Sequence, residues 1–146
     1  MIQYPNQPML KLIIAGGRDF KNYPLLQREV DNFIQYLMTN GEIEPSPEIE
    51  IVSGKQVTKP SYTDRKTWHG ADYLGELYAE SYNIPVKPFP ADWNGKYGRG
   101  AGMIRNEQMA QYADACICFW DGISRGTKNM IDNANKYNLV LRIINY

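Results

Sequence analysis

The residues best equipped for chemistry form one stretch, Trp120-Asp121-Gly122-Ile123-Ser124-Arg125-Gly126-Thr127. An apolar run, Ala113 to Trp120, leads into it, and helical spacing follows over Asn129 to Tyr137. That order reads as a strand, a tight glycine turn carrying hydroxyls and a cation, and a helix start. The first amides of a helix have no intrahelical acceptor and carry partial positive charge, so such a turn suits an anion. A second junction of this kind stands at Gly16-Gly17-Arg18-Asp19, after the apolar run Leu10 to Ala15. Two such turns in one small chain point to a nucleotide or sugar-phosphate pocket. Glycines that only close tight connections would look the same, and both readings stand at this stage.

Three further pairs belong with these turns: Ser53-Gly54, Asp92-Trp93 and Arg105-Asn106. Arg18, Arg105 and Arg125 suit phosphate oxygens. Asp19, Asp92 or Asp121 suits ribose hydroxyls, and Trp93 or Trp120 suits a base. Each has a plainer use: Asp19 can tie a turn, the tryptophans can fill a core or a rim, and Arg105 can pair with a carboxylate instead of a ligand anion. Asp19 and Asp121 are the candidates for N-glycosidic chemistry by the carboxylate logic of glycoside cleavage; no motif singles either out as catalytic. His69 is the single histidine. A histidine-based metal site is therefore excluded, and no metal is expected; alone, His69 is either an acid–base group or a surface residue.

The elements that must position these residues follow from local pattern. Leu10 to Ala15 reads as a doubly covered parallel strand. Tyr23 to Met38 places Leu26, Val30, Phe33, Ile34 and Leu37 at helical spacing, with Pro24 in the first turn and Asn40-Gly41 at the end. Glu42 to Glu48 reads as a surface connection, and Ile49 to Gly54 as the second strand. Lys55 to His69 has no period; its Lys55, Lys59, Arg65 and Lys66 face only Asp64, with Tyr62, Trp68 and His69 between them. This insertion reads as a solvated loop or as a basic lid. Gly70-Ala71-Asp72 opens a helix whose inward face takes Leu74, Leu77, Tyr78 and Tyr82 and which ends at Asn83. Val86 to Phe89, hemmed by Pro85, Pro88 and Pro90, is an edge strand or irregular. Ala101 to Tyr112 is a helix carrying Met103, Ile104, Met109 and Ala110. Ala113 to Trp120 is the fourth strand, a helix starts near Thr127 with Met130, Ile131, Ala134 and Tyr137, and Leu139 to Ile144 is the last strand. The alternation predicts an α/β class, Rossmann-like three-layer domain of about five mainly parallel strands with helices on both faces, in the order 3-2-1-4-5.

Composition narrows the function classes. The 146 residues suit one domain over 1–146, with 1–9 a polar tail. Sixteen basic residues balance sixteen acidic ones, which argues against an extended nucleic-acid footprint. No run approaches the roughly 18 apolar residues of a membrane span. Met1 to Met9 lacks the regions of a signal peptide, and Cys116 and Cys118, two apart on one strand face, are poorly placed for a disulfide; both suit a reducing cytoplasm.

Taken together, Gly16-Gly17-Arg18-Asp19-Phe20, Ser53-Gly54, Gly70-Ala71-Asp72, Ala91-Asp92-Trp93, Tyr97-Gly98, Ala101-Gly102, Arg105-Asn106, Met109 and Trp120-Asp121-Gly122 with Ser124-Arg125-Gly126-Thr127 resemble the YspA-like (YpsA-related) branch of the SLOG superfamily. That superfamily joins the DNA-processing protein Smf/DprA with the Lonely Guy phosphoribohydrolases. The resemblance runs from Leu10 to Ile144 and implies a Rossmann-like domain that binds nucleotides or nucleotide-derived ligands, often as a homodimer. It also implies a compact glycine-and-arginine turn where this chain has Lys55 to His69. Arg105-Asn106-Glu107-Gln108-Met109 is similar to the Lonely Guy Arg-Lys-x-x-Met helix, and Ser124-Arg125-Gly126-Thr127 to the end of its glycine motif. Met130 stands where the catalytic glutamate would be. Methionine can neither stabilise an oxocarbenium ion nor activate water, and Asp132 sits on another side of the helix. The expectation is thus a sensor or sequestering module for a nucleotide or ADP-ribose-like ligand, with no required cofactor. An N-glycosidic hydrolase or transferase is the alternative, and a single-strand DNA binder ranks last. Gly126→Val is expected to disturb both the turn and a ligand.

Overall fold

The computed structural model describes residues 9–40 and 48–146. The tail before Met9, Gly41 and most of the expected connection 42–48 lie outside the described residues. One sheet of five parallel strands runs in the order β3-β2-β1-β4-β5. Its strands are β1 (Leu10–Gly16), β2 (Ile49–Ser53), β3 (Val86–Pro88), β4 (Ala115–Trp120) and β5 (Val140–Asn145). Among the described residues the α-helices are α1 (Tyr23–Thr39), α2 (Ala71–Ser81), α3 (Ala101–Tyr112) and α4 (Arg125–Lys136). This is the Rossmann-like three-layer arrangement and strand order expected from the alternation. The proline-bearing β3 takes an edge, where a missing N–H costs no ladder bond.

Two apolar clusters sandwich the sheet. On one face Leu10, Leu12 and Ile14 of β1 and Ile117 and Phe119 of β4 pack against Leu26, Val30, Phe33 and Leu37 of α1 and against Leu74 and Tyr78 of α2. On the other, Ile13, Val52, Cys116 and Cys118 meet Met109 and Ala110 of α3 and Met130, Ile131 and Ala134 of α4. Strand side chains alternate between faces, so β1 and β4 supply both clusters and are covered on both sides. Each fully buried Leu, Ile or Phe contributes roughly 1.5–3 kcal/mol by leaving water. The two cysteine sulfurs are 3.5 Å apart as free thiols. The hydrogen bond with the Cys118 thiol, together with burial, pushes the Cys116 pKa well up, so it stays protonated and inert.

Element ends differ from expectation where side chains cap them. The α1 helix starts under an Asn22 cap whose Oδ1 accepts the Leu25 amide (3.1 Å), with Pro24 in its first turn. Asn40 closes it by donating its own amide to Tyr36 O (3.0 Å). β4 begins at Ala115, not Ala113: Ala113 caps α3, and Asp114 exchanges hydrogen bonds with the Lys11 backbone. α4 begins at Arg125, two residues ahead of Thr127, because Ser124 serves as its N-cap. Tyr82 was expected inward on α2. It caps that helix at 46% exposure, because its hydroxyl bonds Gln27 and Asp31 at the surface. Met103 and Ile104 are exposed as well. The buried stripe of α3 is Ala101, Arg105, Asn106, Met109 and Ala110, so two of the five inward side chains are polar.

Candidate functional site

The strand order reverses at β1 and β4, and loops following their carboxyl ends diverge there to leave a crevice. A cleft of ≈ 480 Å³ occupies that place. Its apolar lining is Ala15, Trp93, Met103, Met109 and Met130. The polar lining comes from the Gly16–Asp19 turn, Gln56, Asp72, Arg99, Arg105, Asn106, Asp121 and the first turn of α4.

Close packing shapes the first turn. A Cβ on Gly16 would stand 2.3 Å from Phe119 O, and Gly17 donates its amide to that same oxygen (3.1 Å). The turn also seats α2, because Ala71 N donates to Gly17 O (3.1 Å) and Gly70 N to Phe20 O (2.9 Å). Tyr146, just beyond β5, covers Gly17: its hydroxyl would stand 1.8 Å from a Cβ there, and it donates to Asp19 Oδ1 at 2.5 Å. Its ring meets Phe20 edge-on at 4.8 Å. Burial and the Asp19 bond raise the Tyr146 pKa, so the phenol stays protonated as the donor. Asp19 therefore has a partner inside the chain, while Arg18 extends into the cleft with its guanidinium 5.8 Å from the Trp93 ring.

The second turn is held by its own side chains. Asp121 Oδ1 accepts the Ile123 and Ser124 amides, both at 2.8 Å, and these bonds hold its pKa below the usual carboxylate value. It stays ionised and is poorly suited to deliver a proton. Gly122, at φ 84°, completes the turn in a conformation that glycine adopts without strain. The Ser124 hydroxyl accepts the Thr127 amide at 3.4 Å, and the Trp120 indole donates to Ser124 O at 3.1 Å. Ser124 and Trp120 thus orient the start of α4, and the helix presents its Gly126 end to the cleft. A Cβ on Gly126 meets nothing within 4 Å.

Arg105 and Asp72 are the buried charged residues of the cleft, 7% and 8% exposed respectively. Arg105 donates through Nη1 to Gly54 O and through Nε to Asn106 Oδ1 (3.0 Å). Asn106 passes the link on, donating to Gly126 O (3.3 Å) and Asn129 Oδ1 (3.0 Å). α3 is thereby tied to the mouth of α4. Asp72 accepts the Gln56 amide on Oδ2 (3.1 Å). Burial pushes its carboxyl up to about 6, against the pull of Arg105 and the Gln56 amide. The expected choice for Arg105 between a carboxylate and a ligand anion is thus only partly made, since a backbone carbonyl and a side-chain amide are its direct partners. Gly54 admits this group, for a Cβ there would stand 2.6 Å from Arg105 Nη1 and 2.8 Å from Asp72 Oδ2.

The Lys55–His69 insertion is stapled to the first turn. Thr58 Oγ1 donates to Arg18 O (2.9 Å), Thr58 and His69 pair their backbones, and residues 65–67 form one 3-10 turn. Only Gln56 of the insertion reaches the cleft. Its cations gather elsewhere: Lys59 lies 4.3 Å and Arg65 5.3 Å from the Trp68 ring, while Lys55 pairs with Glu76. The His69 ring bonds Thr67 O (2.9 Å).

Of the residues singled out in the sequence, Gly16, Gly17, Arg18, Asp19, Trp93, Arg105, Asn106, Asp121, Ser124, Gly126 and Thr127 line the cleft. Ser53, Gly54, Asp92, Trp120, Gly122 and Arg125 stand behind it or beside it. Met130, at the position where the resemblance implies a glutamate, is 1% exposed in the lining. Asp72, Gln56 and Arg99 were missed. Asp72 had a local signal, an acid in the first turn of a helix directly after Gly70; Gln56 and Arg99 had none. Among the described residues no cluster of His, Cys, Asp and Glu could hold a metal ion, and no helix is long and apolar enough to cross a membrane.

Fold and cleft define a Rossmann-like α/β domain with a crevice lined by three arginines and three aspartates at its switch point. No family model matches the chain, and no solved structure matches it. It is 34% identical over 73 residues to the Gene 61 protein of Mycobacterium phage D29, a match that covers 46% of this chain and 58% of that relative.

Proposed function

We propose that the protein binds a nucleotide or a nucleotide-derived, ADP-ribose-like ligand in this cleft, as a sensor or sequestering module. The observation that carries the reading is convergence: Arg18, Arg99 and Arg105 meet the first turn of α4 in one crevice. Its ≈ 480 Å³ falls within the roughly 300–1,000 Å³ of small-molecule sites. Guanidinium groups and helix-start amides are the donors that phosphate oxygens accept from. Thermal-shift titration with a panel of nucleotides, beside mass spectrometry of any small molecule that co-purifies, tests it. A rise in Tm with at least one phosphorylated ribose compound is expected; a flat response across the panel, with nothing co-purifying, removes the reading.

Arg105→Ala should weaken binding of the responding nucleotide by roughly 2 kcal/mol, as for hydrogen bonds to charged groups, and calorimetric titration measures it. Gly126→Val separates ligand from scaffold. Open space surrounds that Cβ, so the earlier expectation of a disturbed turn gives way to a variant whose Tm stays within about 2 °C of wild type while affinity falls. A large drop in Tm would contradict this.

A hydrolase or transferase acting on the N-glycosidic bond is the second reading, and Asp72 is what favours it. A buried cleft carboxylate with a pKa raised to about 6 is a frequent mark of acid–base chemistry. Free base released from nucleoside monophosphates or from NAD would support it, and recovery of intact ligand would return the site to binding alone. The homodimer implied by the SLOG resemblance belongs to the proposal and predicts about twice 16.8 kDa by light scattering.

A further inference from the structure

Arg105 and Asp72 are each more than nine-tenths buried, yet each has one polar atom to spare. Nη1 and Nε of Arg105 are spent on Gly54 O and Asn106 Oδ1, and among the described residues Nη2 has no acceptor. Oδ2 of Asp72 takes the Gln56 amide, and among the described residues Oδ1 has no donor. Both residues line the cleft, and both flank the same point above Gly54. Neither spare atom is sealed from the cleft, so two largely buried side chains present an open donor and an open acceptor, each oriented by a backbone group that leaves it little freedom.

That pairing is matched by a group that both gives and takes a hydrogen bond. A phosphate offers only acceptors and would meet the Asp72 carboxylate with like charge. Vicinal hydroxyls meet both requirements: one donates to the carboxylate, and the other accepts from the guanidinium. The more exposed Arg18 and Arg99, with the start of α4, remain for the phosphate.

Resting on the nucleotide-binding reading, we propose that Asp72 and Arg105 form the sugar subsite of the cleft and select a ribose over a deoxyribose through its cis-diol. A site built to bond a hydroxyl leaves its own buried groups unpaired when that hydroxyl is missing, which is why such sites discriminate strongly.

The experiment is calorimetric titration of the full chain with the four ribonucleoside 5′-monophosphates, ADP-ribose, and the 2′- and 3′-deoxy forms of whichever monophosphate binds most tightly. The expected result is a loss of at least about tenfold for one or both deoxy forms. In Asp72→Asn the carboxamide nitrogen replaces the free acceptor oxygen, and the ratio should fall to within about threefold. Asp72→Ala is measured alongside, with Tm confirming that each variant is folded, so either folded variant decides. Equal binding of ribo and deoxy forms by the wild type overturns the subsite and leaves nucleotide binding standing. A ratio that survives in the folded variants overturns it too, since another group then reads the hydroxyl. Failure of every compound to bind removes the nucleotide reading and the subsite together.

Discussion

Asp72→Asn is expected to stabilise the protein at neutral pH, by about 3 kcal/mol. The cause is the burial that raises its carboxyl from 3.8 to about 6. A folded-state value above the unfolded one means that the folded chain holds the proton more tightly. The Asp72 contribution is therefore fully present below about pH 4 and is lost as pH rises through about 6. Asparagine keeps an acceptor for the Gln56 amide and carries no charge to bury. The Tm difference between variant and wild type should thus be small at pH 4 and reach roughly 6–12 °C at pH 7.5. Thermal melts across that range measure it, and a difference that stays flat with pH would refute the account. A residue that costs stability in its ionised form is placed for function more readily than for folding.

Gly16→Ala carries the second large effect, a destabilisation of roughly 3 kcal/mol. The added Cβ would stand 2.3 Å from Phe119 O, 2.9 Å from the Ala71 Cβ and 3.0 Å from the Phe119 Cβ. Two of these neighbours belong to β4, an interior strand of the sheet, and the third opens α2, so no flexible side chain can give way. Relief requires β1 to part from β4, which breaks the bond from Gly17 N to Phe119 O. Urea unfolding should show a lower midpoint with an unchanged slope. A loss below about 1 kcal/mol would mean that the turn is looser than this packing allows.

Both effects come from residues that meet far from each other in the chain, and the cleft shows the same division. The Gly16–Asp19 and Asp121–Thr127 turns were visible in the sequence because a strand running into glycines and then into a helix is a local pattern. Arg105 was visible as an anomaly, a charged side chain on a half-apolar helix. Its destination was not visible, for Gly54 O lies 51 residues away. Asp19 read equally well as a ribose ligand or a turn residue, and the Tyr146 hydroxyl, 127 residues on, supplies the partner that no local rule names. The insertion read as lid or solvated loop; Thr58 and Gly70 pin its two ends to the first turn, Lys59 and Arg65 turn to Trp68, and Lys55 pairs with Glu76.

By itself, then, the order of residues determined the alternation of strand and helix, the apolar faces and the strand order, since periods of two and 3.6 and the right-handed crossover are properties of neighbouring residues. The tertiary structure alone decided which polar side chains line the cleft and which brace it. Burial, desolvation and the spare valence of a hydrogen-bonding atom depend on what the rest of the chain brings within about 3 Å. Asp72 is the clearest case: an ordinary helix-opening acid in the sequence, it becomes a buried carboxylate beside Arg105 only when β2, α2 and α3 come together.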